Sequence, residues 1–127
     1  MSRCRTLSET KTIVWYPTIS IDDLWEGEMT DVEVEREVVL LVHLEGGKIV
    51  AYQGICPHQE QYLADGTFEG GVITCHAHLW QFEAETGEGI NPKGCRLFRY
   101  EVKVEDGTIY VGVPEGTARR YNRCVAD

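Results

Sequence analysis

The chain has 127 residues, of which 43% are hydrophobic, and its formal net charge is −9. This length allows one domain with a modest core, and the apolar fraction excludes a disordered chain. The negative charge argues against a nucleic-acid ligand, whose phosphates require Lys and Arg, and favours a protein partner with a basic patch.

The N-terminal part predicts a polar tail followed by a capped helical turn. Residues 1–12 are polar and show no periodicity, which indicates a loose tail ahead of a single domain at 13–114. Ser20 followed three residues later by Asp23 is an N-cap pattern. It predicts one helical turn that runs through Leu24 and ends at Gly27.

A first β-hairpin is predicted in the middle of the chain. The Val-rich apolar run Val38–Leu44 is too short for a helix and indicates a buried strand. Gly46 and Gly47 then turn the chain into a second strand at 49–52.

A second hairpin is predicted near the end of the chain. Apolar and charged residues alternate from Phe98 to Glu105, Asp106-Gly107 marks a two-residue turn, and the alternation resumes at 109–113. Because no segment carries a sustained helical period, the pattern predicts an all-β fold, an antiparallel sandwich or barrel, with a C-terminal tail at 115–127.

The chain shows no signal peptide and no membrane span, so we expect a cytoplasmic protein that is monomeric in isolation. In that compartment the five cysteines are expected to be reduced or metal-bound and not disulfide-paired. Cys4 and Cys124 lie in the tails and are expected to be free thiols, whereas Cys95 is expected to pack in the fold.

Two Cys/His pairs lie between the hairpins. Cys56-Pro57-His58 is followed by sixteen residues and then by Cys75-His76-Ala77-His78. Strand-like segments at 50–52 and 72–74 precede the pairs, so two hairpin tips can present ligands to one centre. Thiolate and imidazole suit zinc or sulfide-bridged iron. Zinc sites more often pair Cys with Cys and His with His, whereas one Cys and one His from each tip suits a two-iron cluster.

Strand geometry distinguishes the two histidines of the second pair. Neighbouring residues of an extended chain point to opposite sides, so Cys75 and His76 cannot easily reach one metal together. His78 can fold back across a tight loop. The expected metal ligands are therefore Cys56, His58, Cys75 and His78, with His76 facing solvent or bracing the loop from outside.

With its surroundings, this motif resembles the Rieske [2Fe–2S] signature. The resemblance covers roughly Ile21 to Val113 and rests on CPH with Leu63 and Gly66, on ITC-x-x-H, and on Trp80, Phe82 and Thr86-Gly87. The longer string CPHQE…GGVITC.AHLW.F…TG.GINP is similar to the Rieske ferredoxins of toluene, alkene and isoprene monooxygenases. Leu79 departs from the wider Rieske pattern, where glycine is commonest, although HLW fits the monooxygenase branch.

The resemblance implies one Rieske-type [2Fe–2S] cluster per chain, bound by loops at one tip of the domain, and electron transfer in place of enzymatic activity. An NADH-dependent flavin/iron–sulfur reductase would supply electrons, and the diiron hydroxylase of a hydrocarbon monooxygenase would accept them. The sequence shows no acid–base pair, nucleophile or nucleotide-binding glycine loop, in keeping with that role. Partners would cover the tip, at Gln59, Glu60, Leu79 and Pro92.

Other interpretations stay open from the sequence. The chain resembles, as a runner-up, the ferredoxin of a ring-hydroxylating dioxygenase, and a zinc-stabilised binding module is a further alternative. The Rieske part of an oxygenase would need more chain than remains for a mononuclear iron site. Outside the motif, His43 is expected to be a satisfied or solvent-facing strand residue, and Trp80 and Phe82 are expected to be core beneath the second loop.

Composition also predicts a low reduction potential for such a cluster. Hydrogen bonds from hydroxyl groups to the sulfurs raise the potential, and the chain has no serine after Ser20. Nor does it have a cysteine between Cys56 and Cys75 to brace the two loops with a disulfide, as in the high-potential respiratory relatives.

Overall fold

The computed structural model describes residues 13–57, 61–76, 79–91 and 93–114. Its strand pairs are all antiparallel, which confirms the predicted all-β class. Two 3-10 turns, at Ile21–Asp23 and Leu63–Asp65, complete the regular structure of these ranges. The strands are β1 (Ile13–Ser20), β2 (Met29–Val34), β3 (Glu37–His43), β4 (Ile49–Gln53), β5 (Thr67–Glu69), β6 (Val72–Thr74), β7 (Gln81–Glu83), β8 (Gly89–Asn91), β9 (Arg99–Glu105) and β10 (Thr108–Pro114).

The described strands begin at Ile13 and end at Pro114, and the two predicted tails lie outside the described residues. Within the described ranges, none of the helical segments has the length and apolarity that a membrane crossing requires.

The larger sheet has six strands in the order β1-β10-β9-β4-β3-β2 and contains both predicted hairpins. In the second hairpin, Asp106 and Gly107 have φ angles of 51° and 79°, the left-handed conformations of a tight hairpin turn. Val104 departs from the predicted pattern, because it is 44% exposed. Its half of β9 has no β4 partner, since β4 pairs only with Arg99 and Tyr100.

The sequence did not predict β1 and β2, which are the two edge strands of this sheet. β1 contains Pro17, which lacks a backbone N–H and is tolerated at an edge. β2 reads MTDVEV and carries two acidic residues, a common way to protect an exposed edge. Both features weaken the apolar alternation by which strands are recognised.

The continuous apolar run of β3 follows from burial on both of its faces. Leu40 and Val42 pack into one core, and Val39 and Leu41 pack into a second core on the opposite face. All four are fully buried. A strand covered on both sides shows an unbroken apolar run, and the predicted buried strand is confirmed.

The helical turn after Ser20 is confirmed as a 3-10 turn. The backbone N–H of Asp22 donates to Ser20 Oγ at 3.1 Å, and Leu24, at the end of the turn, is 1% exposed. Gly27 follows with φ +86°, where glycine avoids the strain that other residues meet.

The smaller sheet has the order β5-β6-β7-β8 and lies in the chain between β4 and β9. Each of its strands has three residues, too few to show a period, so the sequence indicated only β6. Ile73 and Phe82 from this sheet share a core with Leu40 and Tyr52 of the larger one. This shared core also contains Cys56 and Cys75.

Gly66 brings the chain after the first Cys/His segment against the strand that leads to the second. A Cβ atom on Gly66 would lie 1.9 Å from the carbonyl oxygen of Thr74 and 3.3 Å from the backbone N of His76. Only a residue without a side chain allows this approach, and the obstructing atoms are backbone that cannot rotate away.

Gly66→Ala is therefore expected to lower the free energy of unfolding by about 3 kcal/mol, the upper end for one added methyl group. Gly70→Ala is the control, because a Cβ there meets nothing within 4 Å. Its left-handed backbone alone should cost about 1 kcal/mol. Urea unfolding of both variants checks this, and equal losses would contradict the close approach at Gly66.

Candidate metal centre

The first Cys/His segment is a loop closed by the backbone of Cys56. The Cys56 N–H donates to the carbonyl oxygen of Gln61 at 2.9 Å, and a β-bridge joins Ile55 to Tyr62 at the base. Cys56 is 0% exposed. The cysteine therefore begins a short loop at a hairpin tip, with its thiol on the inner side.

The second segment repeats this arrangement. The Cys75 N–H donates to the carbonyl oxygen of Trp80 at 2.7 Å, and Thr74 pairs with Gln81 at the base. Cys75 is 1% exposed. Each cysteine is thus bonded to the carbonyl five residues further on, and the prediction of two hairpin tips is confirmed.

Both thiols belong to one buried core, which also contains Leu63, Trp80 and Phe82. Neither is in a disulfide. Burial in apolar surroundings disfavours a bare thiolate, whereas a metal ion stabilises it. Two buried thiols at equivalent positions of adjacent loops fit a centre that takes two cysteine ligands from two loops.

Only two of the four histidines, His43 and His76, lie within the described residues. His58 and His78, the expected partners of the two cysteines, lie outside the described residues. His76 is described and is exposed, as the alternation argument expected. Within the described part of the chain, no group of three His, Cys, Asp or Glu side chains could hold a metal ion. His43 is a satisfied strand residue, with Nδ1 2.8 Å from the carbonyl oxygen of Leu24.

Trp80 and Phe82 are core residues, as predicted, with exposures of 8% and 0%. Leu79, which directly precedes Trp80, is 64% exposed and has a φ angle of +58°. Gln59, Glu60 and Pro92, the other residues expected at the tip, lie outside the described residues.

A third loop follows β8 and returns the chain to β9. A β-bridge joins Glu88 to Arg96, and the Gly89 N–H donates to the carbonyl oxygen of Cys95 at 2.6 Å. Cys95 is 4% exposed, in agreement with the predicted packing role. It is also disulfide-bonded, so the expectation that all five cysteines are reduced or metal-bound is wrong at this position. Cysteine counts and compartment do not reveal which sulfurs a fold brings together.

Gln53 braces the first loop and was missed by the sequence analysis. Its side chain is 1% exposed, and its Nε2 donates to the carbonyl oxygen of Ile55 at 2.8 Å. Its Oε1 accepts the N–H of Phe98 at 2.8 Å. Gln53 therefore links Ile55, the residue before Cys56, to Phe98, the residue before β9. The available signal was a glutamine that ends an otherwise apolar strand, IVAYQ, three residues before a cysteine.

Tyr52 supports the turn between β7 and β8 from below. Its hydroxyl donates to the carbonyl oxygen of Ala84 at 2.7 Å, and a Cβ on Gly87 would lie 2.7 Å from its ring. Burial raises the pKa of Tyr52 to about 12, while the nearby Arg99 guanidinium opposes that shift. The phenol is therefore neutral at physiological pH and acts as a hydrogen-bond donor.

Comparison with known proteins agrees with this geometry. Residues 14–101 match the Rieske [2Fe–2S] domain. The ferredoxin component of the alkene monooxygenase system of Xanthobacter autotrophicus is 44% identical over 106 residues, which cover 83% of this chain and 86% of that protein. The ferredoxin component of the naphthalene 1,2-dioxygenase system of Pseudomonas putida is 31% identical over 96 residues, 75% of this chain and 91% of that one.

Solved structures show the same fold. A chain in the complex of reduced oxygenase and oxidized ferredoxin of carbazole 1,9a-dioxygenase superposes with a TM-score of 0.69 at 28% identity, covering 77% of this chain and 92% of that one.

The fold, the paired cysteine loops and these matches lead to one cofactor, a Rieske-type [2Fe–2S] cluster. The donor set agrees, because two buried thiols are what such a cluster requires of its cysteine side. A zinc-stabilised module is not supported. The chain belongs to the Rieske [2Fe–2S] domain family.

Proposed function

We propose that this chain carries single electrons from an NADH-dependent flavin/iron–sulfur reductase to the diiron hydroxylase of a multicomponent hydrocarbon monooxygenase. The observation that carries the proposal is the pair of cysteine loops in a Rieske domain that is 44% identical to the ferredoxin component of an alkene monooxygenase system. A bound Rieske cluster accepts and releases one electron. The chain is thus an electron-transfer component and not an enzyme.

The choice of a monooxygenase over a dioxygenase rests on relatedness. The dioxygenase ferredoxin of P. putida is 31% identical, against 44% for the alkene monooxygenase ferredoxin. The solved complex of an oxygenase with a ferredoxin supports direct docking of the carrier on its acceptor. A cytoplasmic location and a monomeric carrier are parts of the same proposal, as is a role in aromatic or alkene hydrocarbon catabolism.

The proposed ligands are Cys56 and Cys75 on one iron and His58 and His78 on the other. The matching closure of the two loops supports this set, because it gives the two cysteines equivalent positions. His76, the other histidine of the second pair, is exposed beside the buried Cys75, in keeping with the opposite sides that neighbouring residues of an extended chain face.

Alanine at His58 or His78 is expected to abolish the cluster, because the iron that loses an imidazole is left with an incomplete ligand set. His76→Ala should retain a normal Rieske spectrum. Visible absorption and EPR spectra of the three purified variants check the assignment. A colourless His76→Ala protein beside an intact His78→Ala protein would overturn it.

The reduction potential is expected near the low end of the Rieske range, at about −150 mV. Neither CPHQEQ nor CHAHLW contains a hydroxyl side chain that could donate to a cluster sulfur. Neither loop cysteine is in a disulfide that could brace the loops. A voltammetric titration of the purified protein measures the potential, and a value well above zero would refute the expectation.

Reconstitution tests the function itself. The chain, combined with the reductase and diiron hydroxylase of its source organism, should couple NADH oxidation to hydrocarbon oxygenation. Turnover at limiting carrier should fall as NaCl is added, because a net charge of −9 steers the carrier toward basic partners.

Charge reversal locates the docking face. Glu60→Lys, in the first loop, should slow turnover, whereas Glu105→Lys makes the same charge change at the far end of β9 and should matter less. If neither salt nor Glu60→Lys alters turnover, then the loops are not the docking face or steering does not limit the reaction.

A further inference from the structure

Gln53 lies where the segment that carries the smaller sheet, residues 54–98, leaves the larger sheet and returns to it. The backbone N–H of Gln53 donates to the carbonyl oxygen of Phe98 at 2.9 Å. In a regular antiparallel pair the Phe98 N–H would donate back to the main-chain carbonyl of Gln53. It donates to the side-chain Oε1 at 2.8 Å. The side chain of Gln53 therefore extends the pairing of β4 and β9 by one bond, at the point where the two strands diverge.

The other half of the same carboxamide reaches the first Cys/His loop. Gln53 Nε2 donates to the carbonyl oxygen of Ile55 at 2.8 Å, and Ile55 directly precedes Cys56. One planar group thus joins the outgoing chain at Ile55 to the returning chain at Phe98. Because the side chain is only 1% exposed, water is poorly placed to supply these bonds if the carboxamide is removed.

The chemistry of this position is specific to an amide. A carboxamide offers a donor and an acceptor without carrying charge, and asparagine, the other residue with this group, is one methylene shorter. Glutamate, when ionised, offers acceptors only. An apolar residue would continue the buried strand IVAYQ at no desolvation cost. A buried amide at this position therefore indicates a bonding role that an apolar side chain cannot fill.

Both ends of the link adjoin the core that contains the two cysteine thiols. Cys56 follows Ile55 and belongs to this core, as does Leu97, which precedes Phe98. The hydrogen bond between Cys56 and Gln61 lies within the first loop and does not attach the loop to the sheet. Gly54 attaches the base of the loop to β3, since its N–H donates to the carbonyl oxygen of Val38 at 2.8 Å. Gln53 supplies the attachment on the β9 side.

We propose that Gln53 is a positioning residue for the [2Fe–2S] cluster. Its carboxamide fixes the Cys56 loop to the returning chain, which slows the loss of iron and limits the access of water to the Cys56 side of the cluster. Gln53 acts through Ile55 and not as a ligand. The inference rests on Cys56 as a proposed ligand, and it holds whichever reductase and hydroxylase the chain serves.

Two substitutions test the carboxamide. Gln53→Met keeps a similar length and removes both side-chain bonds, whereas Gln53→Glu, when ionised, keeps the acceptor for Phe98 and removes the donor to Ile55. Both purified holoproteins should release iron to a chelator about tenfold faster than wild type, the factor expected from losing one buried hydrogen bond.

The reduction potential gives a second measure, taken on Gln53→Met alone because glutamate would add a charge near the cluster. Water that enters beside the cluster stabilises the reduced form, which carries the additional negative charge. The potential of Gln53→Met should therefore lie above that of wild type in the same voltammetric titration.

Thr18→Val is the matched control. It removes the hydrogen bond from Thr18 Oγ1 to the carbonyl oxygen of Ile109, 2.7 Å long, between β1 and β10 and away from the loops. Iron release and potential should stay as in wild type. Hydrogen exchange of the holoproteins, followed by mass spectrometry, should show faster exchange at Cys56 and Leu63 in both Gln53 variants and unchanged exchange at Cys75.

Two results would overturn the inference. Iron release from both Gln53 variants at the rate of Thr18→Val would show that the carboxamide does not hold the cluster loop. Equal loss of protection at Cys56 and Cys75 would show that Gln53 supports the whole domain and not the first loop. If Gln53→Met does not fold, iron release and hydrogen exchange in Gln53→Glu decide between these outcomes.

Failure of the proposed function has a different signature. A wild-type chain that binds the cluster but supports no turnover with the reductase and hydroxylase would refute the electron route and leave the role of Gln53 intact. A Cys56→Ala protein with a normal Rieske spectrum would refute the ligand assignment, and the role of Gln53 with it.

Discussion

Two backbone hydrogen bonds hold the geometry on which the rest of the site depends. The amides of Cys56 and Cys75 each bond to the carbonyl five residues ahead, and each bond closes a loop. A cysteine whose amide is fixed in this way positions its sulfur mainly through one side-chain rotation. Both sulfurs also lie in the same buried core, so the loops and the core together fix where the two cysteines sit. The remaining residues of each loop are then available for other ligands and for partners.

Burial of apolar side chains in two cores stabilises this arrangement. Among the described residues, the ion pairs Arg96–Glu88 and Lys103–Glu105 are exposed to solvent, with nitrogen–oxygen distances of 3.7 Å and 3.4 Å. Exposed pairs of this kind contribute little to the free energy of unfolding. β3 is buried on both faces and connects the core beneath the loops to the core on the other side of the sheet. A disturbance of β3 therefore reaches the core that contains Cys56 and Cys75.

The sequence predicted the parts of the fold whose local pattern and tertiary position agree. β3, β4, β9 and β10 are apolar or alternating because they are central or flank the core. The sequence pattern did not predict β1 and β2, because these edge strands contain a proline and acidic residues that interrupt the apolar alternation. It also missed most of the three-residue strands, because they are too short to show a period.

The site followed a similar division. The paired Cys/His spacing predicted both loops, since the two cysteines and the strands before them are local features. The glutamine that ends β4 hinted at Gln53, but its bracing role depends on Phe98, which is distant in the sequence and bonds to it only in the fold. The positive φ angle of Leu79 was not predicted, because leucine does not favour that region of backbone conformation. The disulfide at Cys95 depends on tertiary proximity, which spacing does not encode.

The insertion of the smaller sheet has a consequence for how such domains diversify. The chain leaves the six-stranded sheet after Gln53 and rejoins it at Arg99, and Tyr52 is paired with Arg99 across β4 and β9. The two ends of the intervening segment are therefore hydrogen-bonded neighbours in the host sheet. A segment anchored at adjacent points can be lengthened, shortened or exchanged as a unit without stretching its host, provided it keeps an apolar underside for Leu40 and Tyr52. One β-sheet can in this way be the common scaffold for inserted redox segments that face different electron acceptors.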